Sequence, residues 1–173
     1  MAVSPNRLFS SIFSTMYNLF NTYVTDPASS NRNTSRGSSK WIFASFPDAD
    51  IQDSKIKYPL IVIDPIDTSY EDWTLTKNKV TITFTFSIYS LTMQQADEIL
   101  DDCVAIIDSQ RTYLRDFSLR QVTLMNTSTD FLTHGGARVH VRTATYNMTY
   151  YFTSGIAKHE LTAPTIESES VIG

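Results

Sequence analysis

Residues 79–90 read K-V-T-I-T-F-T-F-S-I-Y-S. Val80, Ile82, Phe84, Phe86 and Ile88 fall on one parity, and Thr81, Thr83, Thr85, Ser87 and Tyr89 on the other. Strict alternation over that length predicts a strand with one buried and one solvated face. From Thr92 the period changes to 3.6, and Ala96, Ile99, Leu100, Cys103, Ile106 and Ile107 form one stripe. That stripe predicts an amphipathic helix over 92–109. Thr92 is its N-cap, and Asp97 and Glu98 suit the positive end of the helix dipole. A half-wet strand running straight into such a helix predicts a small sheet with the helix laid on one face.

Upstream, Ser4-Pro5 is an N-cap followed by proline at the first helical position. Leu8, Phe9, Ile12, Phe13, Met16, Leu19, Phe20 and Tyr23 then recur at helical spacing, which predicts a helix over 5–24 stopped by Asp26-Pro27. Its wide aromatic face has two readings: a core face, or a face shared with a neighbouring subunit. Residues 26–40 are rich in Ser and Asn and predict a flexible loop. W-I-F-A-S-F at 41–46 and Y-P-L-I-V-I at 58–63 are strand candidates. The second is nearly all apolar, which predicts burial on both faces, with Pro59 at its first residues where a missing N–H is tolerated. Residues 64–78 carry Asp64, Asp67, Tyr70, Glu71, Asp72 and Trp73 and are expected to form a polar loop.

Downstream, 110–116 reads as a connector, and 118–127 as a strand. His134-Gly135-Gly136 within 126–136 is a turn signal, and a long last strand is expected over 137–152. In that strand Val139 and Val141 share one parity, whereas Ala144, Tyr146, Met148, Tyr150 and Phe152 share the other. The phase switch near Arg142 predicts a β-bulge or a change of packing partner. The expected order is α, β, β, β, α, β, β, with the last two strands a hairpin. The fold class is therefore α+β: a mainly antiparallel sheet with an N-terminal helix and one central amphipathic helix packed on one face. The expected organisation is one domain over 1–155, with loop 26–40 flexible and 156–173 an extended or mobile tail.

Composition bounds function. A chain of 173 residues with 42% hydrophobic and 12% aromatic residues supports one real core. A net charge of −4 argues against a nucleic-acid binder, which carries a basic patch. Charged residues are only 18%, and the polar surface is mostly hydroxyl and amide, a texture shared by self-assembling subunits and by ordinary β-rich domains. The single cysteine, Cys103, lies on the apolar stripe, where burial makes a thiol inert. No secretory signal is visible, and no run approaches the roughly 18 apolar residues of a membrane span.

The search for chemistry returns little. His134, His140 and His159 are dispersed and form no ligand pair, so no metal is expected. The Asp64, Asp67, Glu71, Asp72 group lacks the glycine and spacing of a calcium loop. Asp97, Glu98, Asp101, Asp102 and Asp108 lie opposite the helix stripe, the ordinary wet face. No nucleophile-elbow, dinucleotide or P-loop pattern occurs. No catalytic, metal or cofactor residue is assigned, and no enzyme activity is expected.

The layout as a whole is more telling. A helix, then Y-P-L-I-V-I-D-P, a polar stretch, K-V-T-I-T-F-T-F-S-I-Y-S, the helix T-M-Q-Q-A-D-E-I-L-D-D-C-V-A-I-I-D and two long strands resembles the tail-terminator (tail-completion) proteins of long-tailed bacteriophages and related viruses. The resemblance covers residues 8–152 and lies in order and texture. It implies a structural virion protein, made in the host cytoplasm and placed at the tail or neck. It implies a homohexameric ring that caps the tail tube, stops its polymerisation and meets the head connector or another neck protein. DNA would pass through the lumen without specific binding, and no cofactor or membrane is involved. The segments matching the family's contact regions are 64–78 and the long strands, and Asp64, Asp67, Tyr70, Glu71, Asp72 and Trp73 are the expected subunit or tube interface. Other neck components, a tail-tube subunit and a small ligand-binding α+β module are the alternatives.

Overall fold

The computed structural model describes residues 8–27, 41–46, 58–74 and 77–153. The expected flexible loop over 28–40 and the expected tail over 156–173 lie outside the described residues. In chain order the elements are α1 (Leu8–Tyr23), β1 (Ile42–Phe43), β2 (Leu60–Ile63), β3 (Asp67–Thr74), β4 (Lys77–Ser90), α2 (Met93–Ser109), α3 (Arg111–Asp116), β5 (Leu119–His134) and β6 (Ala137–Thr153). The fold is α+β, built on a six-stranded sheet ordered β1-β2-β4-β6-β5, with β3 also paired to β4.

β4 is the axis of the sheet. Val80, Ile82, Phe84, Phe86 and Ile88 are buried under the helices, as their alternation predicts. One edge of β4 pairs antiparallel with β2 over Phe86–Tyr89 and with β3 over Lys77–Thr83; the other pairs with β6 along its whole length. Among the described strands only the β1–β2 pair is parallel. α1 buries Leu8, Ile12, Met16, Leu19 and Phe20 on the same core, and the Phe20 ring lies 5.0 Å from that of Phe86. The core reading of the α1 face is therefore the observed one, with Phe9 and Tyr23 left exposed. α2 buries Ala96, Ile99, Leu100, Cys103 and Ile107. Thr92 is its N-cap and accepts a hydrogen bond from the Gln95 N–H at 3.4 Å. Asp97 is not an ordinary wet-face carboxylate, because the Arg142 guanidinium on β6 donates to it and also to Thr129 on β5.

β2 is buried on every residue, matching its all-apolar reading. Four expectations are corrected. Residues 67–74 form strand β3 rather than a loop, because they pair with the first half of β4. Their side chains, described through Glu71, are mostly exposed, and such a strand shows no alternation in sequence. The connector contains helix α3, too short to display a period. β5 does not stop near residue 127 but continues to His134. The turn to β6 is the two residues Gly135 and Gly136, at φ +57 and +79, the left-handed pair that a tight hairpin requires. Finally, 41–46 holds only a two-residue strand.

The phase switch in β6 is a change of packing partner. The β4–β6 register is unbroken, and the irregularities fall on β5, between Arg120 and Thr123 and between Leu124 and Asn126. Ala144, Tyr146, Met148 and Tyr150 belong to the helix-side core. Val139 and Val141, on the opposite parity, are buried on the reverse face.

Candidate assembly surface

The reverse face of the sheet begins as a ladder of hydroxyls. Thr83 Oγ1 donates to Asn147 Oδ1 at 3.3 Å; Thr85 and Thr145 share a hydrogen bond at 3.2 Å, and Ser87 and Thr143 one at 3.0 Å. Each pair is a register pair of β4 and β6, so the Thr-rich parity of the sequence becomes cross-strand bonding. Towards the hairpin turn the ladder gives way to aromatics: the Phe46 ring lies 4.7 Å from Tyr89 and 5.8 Å from His134. Tyr58 Oη and His134 Nδ1 share a hydrogen bond at 3.0 Å.

Of the residues expected at an interface, the structure separates Asp64 from the rest. Asp64 follows β2, its N–H donates to Thr85 O at 3.0 Å, and its carboxylate accepts from Ser87 Oγ at 3.2 Å. Burial pushes its pKa above the usual carboxylate range, which the Ser87 bond partly opposes. Burial, and then the Asp64 charge, push the Tyr89 phenol upward as well. Asp64 is thus a component of the reverse face. Asp67, Tyr70, Glu71, Asp72 and Trp73 lie together on β3, whose outer side bonds to no other described strand. Asp67, Tyr70 and Glu71 are exposed. Glu71 accepts from Lys79 Nζ at 2.9 Å, and this bond with its charge holds Lys79 above the ordinary lysine range.

The opposite boundary of the sheet is β5, which the sequence reading shortened. From Thr123 to Phe131 it is exposed on both faces, and it presents Leu124, Met125 and Phe131 to solvent. Arg138 covers part of Phe131, its guanidinium carbon 4.2 Å from the ring centroid. Between Thr123 and Thr129 this strand has neither charge nor proline. Charge and proline are two of the devices that blunt an open edge; here the irregularity between Leu124 and Asn126 is the one present. The only sequence signal for it is the adjacent Leu124 and Met125 in an otherwise polar run.

Among the described residues no three His, Cys, Asp or Glu side chains converge as metal ligands. Among them, too, no helix is long and apolar enough to cross a membrane. No family model matches the chain, and no curated protein does. Among solved structures, a chain described as "Virion of native gene transfer agent (GTA) particle" is similar over 83% of this chain and 98% of that one, at 8% identity and a TM-score of 0.42. A similarity of that degree assigns neither family nor activity.

Proposed function

We propose that this protein is a structural virion component, a tail terminator that closes into a ring on the end of the tail tube, stops its growth and offers a surface to a neck protein. The order of elements that resembles tail terminators supports the reading. The observation that carries it is that β3 and β5, on opposite sides of one sheet, each pair outward with no other described strand. A subunit that joins its copies head to tail needs two different surfaces facing opposite ways, and such contacts close when the rotation between copies divides a full turn. The strand directions suit this arrangement. β3 is antiparallel to β4, β4 to β6 and β6 to β5, so β5 runs opposite to β3. The β3 of a second copy, brought up by rotation about an axis along the strands, meets β5 antiparallel and continues the sheet.

The test is to add the purified protein to growing tail tubes and image them. Rings seated on tube ends, with growth arrested, are the expected result. Filaments formed by the protein alone would make it a tube subunit. Free tubes of undiminished length beside unassociated protein would contradict the reading.

A further inference from the structure

Where α3 runs into β5, three arginines gather around a cleft of about 250 Å³. Arg111 and Arg115 reach it from α3 and Arg120 from β5, with Leu119 and Val122 as its apolar lining. Arg111 is committed to Asp108, to which its Nη2 donates at 2.8 Å. The side chains of Arg115 and Arg120 make neither ion pair nor hydrogen bond among the described residues, and both are exposed. The backbone here is held in an unusual shape. Ser118 and Gln121, on either side of Leu119 and Arg120, adopt the left-handed region at φ 67 and 51. Residues other than glycine rarely do so unless their surroundings impose it. The Gln121 side chain is fixed in turn, its Oε1 accepting from Thr149 Oγ1 at 2.9 Å. An overall acidic protein thus holds cationic charge with no partner among the described residues at one place on the β5 edge.

The acidic edge lies level with it. Ser69, Thr81, Thr149 and Arg120 are successive register partners across β3, β4, β6 and β5, and Tyr70, Val80, Tyr150 and Leu119 form the next row. Asp67 and Glu71 therefore flank, on one side of the sheet, the rows that end at the arginine cleft on the other. A closed ring relates its copies by rotation without rise, so with the axis along the strands, as above, each row meets the same row of its neighbour. We infer that the Arg115–Arg120 cleft of one copy receives the acidic β3 edge of the next, through Asp67 and through the exposed Glu71, whose carboxylate is shared with Lys79. This inference rests on the ring reading above and names the contact that reading requires. The facing charges also fix polarity, because β3 against β3 or cleft against cleft sets like charges together.

The experiment measures association of the full chain by sedimentation, with circular dichroism as the check on folding. Arg115→Glu with Arg120→Glu, and separately Asp67→Lys with Glu71→Lys, should each weaken self-association by at least about tenfold. All four substitutions in one chain should restore it, because the reversed edges are again complementary. Rings that persist in both double variants would overturn the inference and leave the ring reading standing. A wild-type protein that remains monomeric, both free and on tail tubes, would overturn both. Should a double variant fail to fold, salt decides with the natural chain. Association should fall at least about tenfold between roughly 50 and 500 mM salt, as exposed ion pairs are screened, and an unchanged association would refute the contact.

Discussion

Tyr58 Oη and His134 Nδ1 lie 3.0 Å apart, joining a residue two positions before β2 to the last residue of β5 across 76 positions of sequence. Phe46 and Tyr89 complete the cluster around the His134 ring. This contact ties the far end of the β5–β6 hairpin to the middle of the sheet, where β4 ends at Ser90 opposite His140. Tyr58→Phe should cost about 0.5–1.5 kcal/mol, the net worth of one hydrogen bond. Its signature is local: amide exchange should quicken in 132–140 and stay unchanged in α2. Uniform quickening would show that the bond serves the whole fold and not the hairpin end.

Tyr146 presents the opposite situation. Its ring is buried, stacked 6.3 Å from Phe86, yet its hydroxyl is buried without a hydrogen-bond partner among the described residues. Burial, with the nearby Asp108 charge, pushes its pKa far above the usual phenol range. An unpaired buried hydroxyl costs free energy that removal recovers, so Tyr146→Phe should raise stability by up to about 1 kcal/mol. The urea midpoint should rise at constant slope. A fall of the same size would mean the hydroxyl is bonded in solution.

Asp64 gives the pH dependence. Its folded pKa is raised by burial, so folding disfavours the ionised carboxylate relative to the unfolded chain. Its contribution to stability is therefore present below the unfolded value of about 4 and lost as pH rises through the folded one. Asp64→Asn should stabilise the protein at pH 7 and give no gain at pH 3. It should also lower the Tyr89 titration, because the Asp64 charge is one of the causes that raise it. Paired thermal melts at the two pH values and an ultraviolet titration of the phenols read both effects. Equal effects at both pH values would refute the burial account.

Cys103 is fully buried on the α2 stripe, and that burial pushes its thiol well above the ordinary range. Thiol reagents should therefore label the native protein only at the rate at which it opens, and labelling should become rapid in denaturant. Cys103→Ser, which buries a hydroxyl among apolar neighbours, should cost about 1–3 kcal/mol. Fast labelling of the native chain would show that α2 does not stay on the sheet.

The sequence reveals the parts of this fold that have one dry side. β4 and α2 are legible because one-sided burial writes a period of 2 or 3.6 into the chain. The β6 switch at Arg142 is legible for the same reason, since Val139 and Val141 are buried on one face and Ala144 and Tyr146 on the other. β3 and the outer half of β5 are not. Side chains wet on both faces need no pattern, and the strand conformation is imposed by the backbone of β4 or β6. The candidate interface was legible in part: its acidic residues stand out in sequence, although Asp64 turns inward to Ser87. The arginine cleft was not, because Arg111, Arg115 and Arg120 meet only through the α3 turn and the left-handed residues beside Arg120.

In the proposed assembly two unlike edges of one sheet join copies head to tail into a closed ring. The mass of the purified protein in solution, with negative-stain images of the same sample, tests it most directly. One closed species is expected, of six copies by the resemblance to tail terminators, seen as uniform rings. A species that stays monomeric at every concentration and on tail tubes would contradict it, and so would a two-fold dimer in which like edges meet.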